Sequence, residues 1–352
     1  MDKRVSRLLR KVQPKQLSDE WFAMRKDCIT ASTAACLLVR DSVTCDKYIE
    51  LYNLQDTFKK DGKCCNPYSS KFDYFRNKVI GSKFVGNEAT YFGQRYEQVV
   101  TDIYSVNNKT PVLEFGLIKH DTIDYLAASP DGITPDGVML EIKCPYRRAI
   151  TGVPPLYYYI QCQIQLEVAD LDVCDFVEYS FIEFGTEEEW LDEETLDTPV
   201  YNRGLYIQIE KYDDNKEIMG PENNEYVYPE KQYIDDIDYL VGWSRHLMAG
   251  AEKDKAMISV IYYKVNDLSV VRIERDRVWF ENINKVLEKE WNKVLYYRQG
   301  TNYKKLIEHQ AVKSEAEHVV MNINYVNKYS SGPPPGFTSQ QYILDSEDDE
   351  EY

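Results

Sequence analysis

The spacing of hydrophobic and polar residues changes along the chain from the period of a helix to the period of a strand. Between Asn87 and Val106 apolar residues recur every three or four positions, which predicts an amphipathic helix. The following segments predict three strands, a second helix and a further strand, in that order: Val112–Lys119, Tyr125–Ala128, Val138–Cys144, Leu156–Val168 and Val173–Phe181. This order predicts an α/β fold.

The segments on either side of this core have weaker patterns. The pattern predicts helices for residues about 18–56, with Thr30-Ala31-Ser32 as a turn and N-cap. Between about 183 and 256 the pattern predicts only a strand at Leu205–Lys211 and a helix after Asp235. Near the carboxyl end, a Pro-rich run and then an acidic run predict a disordered tail.

The strand Val138–Cys144 carries the chain's most informative polar residues. A strand's period of two places Glu141 and Lys143 on one face and Leu140, Ile142 and Cys144 on the other. Asp131 precedes a turn-rich connection, so we expect it at the end of the neighbouring antiparallel strand, beside Glu141. Two carboxylates suit Mg²⁺ or Mn²⁺, and a lysine suits a phosphoryl transition state. By itself, the same pattern also fits a solvated hairpin.

Composition limits the class of protein. The 352 residues are 43% hydrophobic, which is sufficient for a sizeable core, and the net charge of −17 argues against a protein that coats nucleic acid. Any nucleic-acid site must therefore be local. A basic amino-terminal cluster could contact DNA, direct nuclear import or form a solvated helix face: Lys3, Arg4, Arg7, Arg10, Lys11 and Lys15.

Cysteine and histidine usage argues against several other classes. The eight cysteines contain no Cys-x-x-Cys pair, and with four histidines they provide neither a zinc-site spacing nor a disulfide framework, so we expect reduced thiols. An iron–sulfur cluster needs four grouped cysteines, whereas Cys144, Cys162 and Cys174 make three. No run approaches the roughly 20 apolar residues of a membrane span, and the amino terminus does not resemble a signal peptide. We therefore expect an intracellular protein.

Five separated sequence blocks resemble the PD-(D/E)XK nuclease superfamily, and within it the lambda-exonuclease-type, YqaJ-like viral recombination branch. They are, in chain order, Trp21-Phe22-Ala23-Met24-Arg25 with Ile29-Thr30-Ala31-Ser32, Gly93-Gln94-Arg95-Tyr96-Glu97, Ser129-Pro130-Asp131-Gly132 with Leu140-Glu141-Ile142-Lys143-Cys144-Pro145, Tyr158-Tyr159-Ile160-Gln161-Cys162-Gln163, and Ile273-Glu274-Arg275-Asp276. The resemblance implies a restriction-endonuclease-like α/β core: a helix, a three-strand antiparallel hairpin sheet, a helix and a strand, with helical elements at both ends.

The resemblance also implies domain limits. It assigns residues 1–86 to a helical region with a 5′-phosphate motif, 87–182 to the nuclease core, 183–256 to an insertion, 257–313 to a carboxyl-terminal hairpin and helices, and 314–352 to the tail.

The implied activity is a Mg²⁺-dependent 5′-to-3′ exonuclease that acts on double-stranded DNA ends and leaves 3′ single strands for a partner annealing protein. One alternative is a structure-specific endonuclease or an RNA-degrading alkaline nuclease, and another is a non-catalytic DNA-binding or scaffold protein. A viral source follows from the resemblance, with the host cytoplasm or nucleus as the site of action. A monomer and a ring-shaped homo-oligomer both stay open.

The resemblance assigns roles to individual residues. Asp131, Glu141 and the backbone carbonyl of Ile142 would hold the metal, and Lys143 would orient the attacking water. Gln161, a polar amide within an apolar helical stripe, would position the lysine or the water. Glu97 would support the metal directly or through water.

The remaining two assigned residues belong to the amino-terminal motif. Arg25 and Ser32 would bind a terminal 5′ phosphate, for which a guanidinium and a hydroxyl group are chemically suitable.

Overall fold

The structure, a computed structural model, describes residues 1–81, 86–192, 203–250 and 256–308. The predicted tail at 314–352 and parts of the predicted insertion lie outside these residues. Contacts between residues divide the chain into two units, Met1–Val294 and Leu295–Tyr352. The first unit contains all the residues of the candidate site described below.

Ten helices are found among the described residues: α1 Lys3–Leu9, α2 Asp19–Lys26, α3 Ala31–Ala34, α4 Ser42–Leu51, α5 Lys71–Val79, α6 Glu88–Asn107, α7 Leu156–Ala169, α8 Glu187–Leu191, α9 Ile237–Gly250 and α10 Arg277–Arg298. Side-chain caps define several of their starts, as at Asn87, whose side chain accepts a hydrogen bond from the backbone of Thr90. In the described part of the chain, no helix combines the length and apolar content that spanning a bilayer requires.

The strands form two sheets. They are β1 Ile29–Thr30, β2 Ile118–Lys119, β3 Leu126–Ala128, β4 Gly132–Ile133, β5 Val138–Lys143, β6 Val173–Phe184, β7 Arg203–Lys211, β8 Glu225–Val227 and β9 Ala256–Glu274. The small sheet has the order β1-β3-β2, and the large sheet has the order β4-β5-β6-β9-β7-β8. The predicted order of helix, strands, helix and strand is confirmed, and the core is a mixed α/β one.

Strand pairing differs from the predicted single three-strand sheet. The expected strand Val112–Lys119 is reduced to β2, with Leu113 making one isolated bridge to Ile133. β3 pairs with β1 and β2 and not with the β4–β5 hairpin, which is predicted to carry the active site and is called here the catalytic hairpin. β5 gains its second neighbour from β6, in parallel. This pairing buries both faces of the central strand, as is usual for parallel strands.

Described strands of the segment between 183 and 256 belong to the same large sheet. β7 and β8 extend that sheet beyond β9, and α9 packs on this extension through Leu240, which is fully buried. In place of the expected carboxyl-terminal hairpin, β9 runs as one long strand that pairs with β6 on one side and β7 on the other. The predicted domain limits themselves stay a prediction.

The basic amino-terminal cluster contributes to the fold through ion pairs. Arg4 pairs with Asp172 at 2.6 Å, and Arg7 pairs with Asp121 at 2.9 Å. Lys11 also pairs with Asp121. These ion pairs favour the solvated-face interpretation of the cluster over a DNA-binding one.

All eight cysteines are free thiols and seven of them are buried.

Candidate active site

The catalytic hairpin brings Asp131 beside Glu141. The register pairs Gly132 with Leu140, so Asp131 and Glu141 occupy the next opposed positions. Asp131 Oδ2 accepts a hydrogen bond of 2.6 Å from the backbone N–H of Ile142, which fixes the carboxylate against β5. The structure therefore brings together the two carboxylates that the spacing predicted.

Two glycines explain the local sequence of this hairpin. A Cβ atom at Gly132, directly after Asp131, would lie 2.2 Å from Cγ1 of Val112, so only glycine fits this close approach. Gly137 has a φ of +94°, in the region that glycine adopts without strain, and it closes the turn before β5. Both glycines permit the backbone geometry that places Asp131 beside Glu141.

The two faces of β5 contact different helices. Leu140, Ile142 and Cys144 belong to a core cluster that includes buried residues of α6, as their spacing predicted. Glu141 faces α7 and is fully buried. Such a charge needs compensation, and it receives several hydrogen bonds.

Glu141 accepts hydrogen bonds on both carboxylate oxygens. Gln161 Nε2 donates to Oε1 at 2.6 Å, and Gln165 Nε2 donates to Oε2 at 2.7 Å. Lys143 Nζ, two residues along the strand, forms an ion pair with Oε1. Gln161 thus contacts the glutamate as well as lying near the lysine, and the carboxylate is locked in orientation.

Sequence reasoning did not identify Gln165 as a site residue. It lies one helical turn after Gln161, so the two amides share the helix face that meets Glu141. The predicted apolar stripe did not distinguish Gln165 as a site residue, because α7 is buried on nearly all sides. Two glutamines spaced four residues apart in a buried helix are the signal that could have identified the pair.

Electrostatics at the site are dominated by three neighbouring carboxylates. Burial raises the pKa of Asp131 well above its usual range, and the charges of Glu141 and Glu97 raise it further. Burial also raises the pKa of Glu97, and Glu141 and Glu114 add to that rise while Lys143 opposes it. Burial by itself would lower the pKa of Lys143, but the carboxylates of Glu141 and Asp131 outweigh it and raise that pKa. The lysine is therefore a cation.

The donor set fits a hard divalent cation. Clustered carboxylates with raised pKa values repel one another, and a bound cation relieves that repulsion. Among the described residues, no three Asp, Glu, His or Cys side chains form a complete metal cage. A site with two carboxylates suits Mg²⁺, which usually keeps several water ligands, so Glu97 would act through water.

Two cavities that both contact α6 border these residues. The first, about 570 Å³, is lined by Lys143 and is called here the lysine-side cavity. The second, about 660 Å³, is lined by Asp131 and is called the aspartate-side cavity. Gln94 and Glu97 line both. The candidate site thus contributes residues to both cavities.

The extension of the large sheet supplies part of the aspartate-side cavity, with Tyr226, Tyr228 and Lys231 in its lining. Tyr228 donates a hydrogen bond of 2.7 Å to the backbone carbonyl of Arg95 in α6. The segment predicted to be an insertion therefore borders the candidate site.

Arg25 and Ser32 also lie together. Arg25 Nη2 donates to Ser32 Oγ at 3.3 Å, and its guanidinium lies 4.1 Å from the centre of the Trp21 ring. Trp21 Nε1 donates to Ser129 Oγ at 3.0 Å, two residues before Asp131. This contact joins the amino-terminal motif to the catalytic hairpin, a link that the sequence blocks did not reveal.

Comparison with known proteins agrees with these features. Residues 20–172 match the YqaJ-like viral recombinase domain. A protein of Acanthamoeba polyphaga mimivirus, described as uncharacterized, is 26% identical over 326 residues. The match covers 82% of this chain and 54% of that protein, so the chain spans about half the length of this relative. A viral homologue supports a viral origin.

Solved exonuclease structures are also similar to this chain. LHK-Exo, an alkaline exonuclease from Laribacter hongkongensis, is 19% identical in its complex with dAMP, with a TM-score of 0.43 and coverage of 84% of this chain and 99% of that one. A phage-related exonuclease from Haemophilus somnus is 12% identical, with a TM-score of 0.37 and coverage of 76% and 95%. The family match contains all the predicted site residues from Arg25 to Gln161, and residues 20–172 of this chain are similar to the YqaJ-like viral recombinase domain.

Proposed function

We propose that the protein is a divalent-metal-dependent exonuclease that degrades one strand of duplex DNA from its 5′ end and leaves a 3′ single strand. The observation that carries this proposal is the buried Glu141, held by Gln161, Gln165 and Lys143 with Asp131 on the adjacent strand. Such a constellation suits hydrolysis of a phosphodiester bond.

The protein's own residues have distinct parts in this chemistry. Asp131, Glu141 and the carbonyl of Ile142 would hold Mg²⁺ or Mn²⁺, which when bound polarises a phosphate and lowers the pKa of a water molecule. Lys143, a cation beside Glu141, would donate to the attacking water or to a phosphate oxygen and offset developing negative charge. Gln161 and Gln165 would hold the carboxylate of Glu141 in the orientation that binds the metal.

We assign the 5′-to-3′ direction of digestion to Arg25 and Ser32. Their contact forms a guanidinium and hydroxyl pair suited to a terminal phosphate, and the Trp21–Ser129 hydrogen bond connects that pair to the hairpin. A terminal phosphate held there would position the strand for cleavage. A single-strand annealing protein would take up the 3′ product.

A digestion assay tests this proposal. Linear duplexes with 5′ phosphates, the same duplexes with 5′ hydroxyls and closed circular duplexes would be incubated with the full chain, with Mg²⁺ or with a chelator. We expect Mg²⁺-dependent release of nucleotides, fastest from the phosphorylated ends, and no cutting of circles. Ready cutting of circles would contradict the exonuclease proposal and favour an endonuclease, and activity confined to RNA would contradict the DNA assignment.

A further inference from the structure

A row of tyrosines leads from the surface to Lys143. The ring centroids of Tyr68 and Tyr157 are 5.6 Å apart, and those of Tyr157 and Tyr158 are 4.2 Å apart. Lys143 Nζ then lies 5.1 Å from the centre of the Tyr158 ring. These three tyrosines are called here the tyrosine ledge.

The outer end of the ledge is exposed and ordered by its own loop. The Tyr68 side chain is 75% exposed, so burial does not account for an aromatic residue there. Asn66 Oδ1 accepts hydrogen bonds from the backbone N–H groups of Tyr68 and Ser69, at 2.8 and 3.1 Å. The backbone that carries Tyr68 is therefore held in place, and the exposed ring is available for stacking.

Tyr68 and Tyr158 of the ledge line the lysine-side cavity, and two arginines line it as well. Arg147 is exposed, lies 5.2 Å from the Tyr146 ring and pairs with no carboxylate among the described residues. Arg148 pairs with Glu178, which is fully buried, and also donates to the backbone carbonyl of Ala149 at 3.2 Å. A guanidinium has five N–H donors, so Arg148 keeps donors for a further acceptor while Glu178 fixes its direction.

Charge distinguishes the two cavities. The lysine-side cavity has three cations and one carboxylate in its lining: Lys143, Arg147, Arg148 and Glu97. The aspartate-side cavity has two cations and four carboxylates: Lys15, Lys231, Glu97, Asp102, Glu114 and Asp131. A polyanion is therefore attracted to the first cavity and not to the second.

We propose that the lysine-side cavity binds unpaired nucleotides of the DNA strand being cut, with bases stacked on the tyrosine ledge and phosphates bound by Arg147 and Arg148. This proposal rests on the proposed nuclease function. A volume of about 570 Å³ is that of a small-ligand pocket, so it admits one or two nucleotides and not a duplex. Stacking on aromatic rings beside a basic groove is how proteins bind single strands without sequence preference.

Binding of a short single-stranded oligonucleotide, measured by fluorescence anisotropy with EDTA present to prevent cleavage, tests the proposal on the full chain. We expect Tyr68→Leu to weaken binding about tenfold without changing its salt dependence, because stacking is uncharged. Arg147→Ala and Arg148→Ala should weaken binding and each reduce the slope of log K against log salt by about 0.7. Tyr233→Leu and Arg76→Ala, which lie outside the cavity lining, should bind as the unmodified protein does.

Two outcomes separate this proposal from the proposed function. If Tyr68→Leu and Arg147→Ala both bind the oligonucleotide normally while the unmodified protein digests DNA, the ledge assignment is wrong and the nuclease stands. If the variants lose binding but the unmodified protein digests no DNA, the ledge stands as a single-strand site and the nuclease proposal fails. Because Arg147 and Tyr68 are exposed, their variants are expected to fold. They therefore test the proposal even if Arg148→Ala misfolds.

Discussion

Gln165 donates a hydrogen bond of 2.7 Å to Oε2 of Glu141, the oxygen that neither Gln161 nor Lys143 contacts. Because Glu141 is fully buried, its carboxylate depends on these protein donors for the interactions that water would otherwise supply. Helix α7 therefore controls the orientation of a carboxylate that belongs to a strand. This relationship gives the first prediction.

Replacing Gln165 with methionine should lower the rate of DNA digestion about 10- to 100-fold, since outer partners of metal-binding carboxylates have effects of that size. Gln163→Met is the matched control, because Gln163 is as buried as Gln165 but bonds to the backbone of Glu274 and Asp276. It should lower the melting temperature and leave the rate per folded molecule unchanged. Equal rate losses in the two variants would contradict a specific role for Gln165.

Arg25→Ala should remove most of the preference for 5′-phosphorylated over 5′-hydroxyl duplexes while some cleavage remains. In the proposed function, the contact of Arg25 with a terminal 5′ phosphate would position the strand and take no part in bond breaking, so its loss would misplace the substrate. The ratio of initial rates on the two duplexes measures this effect, and Arg76→Ala provides the control. An unchanged ratio in Arg25→Ala would show that the guanidinium does not bind the terminal phosphate.

Glu167 should contribute to stability near neutral pH and lose that contribution in acid. Burial opposes ionisation of Glu167, but hydrogen bonds from His120 and Arg275 outweigh it and hold its pKa below the ordinary value of 4.5. A lowered pKa in the folded state means that the stabilisation is complete above about pH 4.5 and is lost as the pH falls through the folded-state value.

Melting of Glu167→Gln and of the unmodified protein between pH 7 and pH 3 measures this contribution. The variant should melt at a lower temperature at pH 7, and the difference should shrink below about pH 4.5. Glu222→Gln, at an exposed position, should melt as the unmodified protein does. A difference between Glu167→Gln and the unmodified protein that is constant with pH would show that the carboxylate's charge is not responsible.

The sequence predicted those parts of the site that depend on local spacing. The period of a strand separates Glu141 from Leu140, and a short turn returns the chain so that Asp131 opposes Glu141. Both relationships involve neighbours along the chain, so they could be derived before any tertiary contact was known. The resemblance added Glu97, Arg25 and Ser32, which the residue pattern alone would leave as surface groups.

Tertiary contacts account for what the sequence did not predict. The Arg148–Glu178 ion pair and the Trp21–Ser129 hydrogen bond join residues that are distant in sequence, and no local pattern indicates either. The separation of β3 from the catalytic hairpin likewise depends on the pairing of β3 with β1, nearly one hundred residues earlier. Strand order in a sheet is set by packing and not by strand propensity.

Hydrolysis is proposed to occur at the hairpin of Asp131, Glu141 and Lys143. The most direct measurement compares the Mg²⁺-dependent digestion rate of a 5′-phosphorylated duplex by the unmodified protein with that of Lys143→Ala, after thermal melting has shown that both are folded. We predict that Lys143→Ala digests DNA at least about 10²- to 10³-fold more slowly, because Lys143 would stabilise charge that develops in the transition state. Near-native turnover by a folded Lys143→Ala at saturating Mg²⁺ would contradict it.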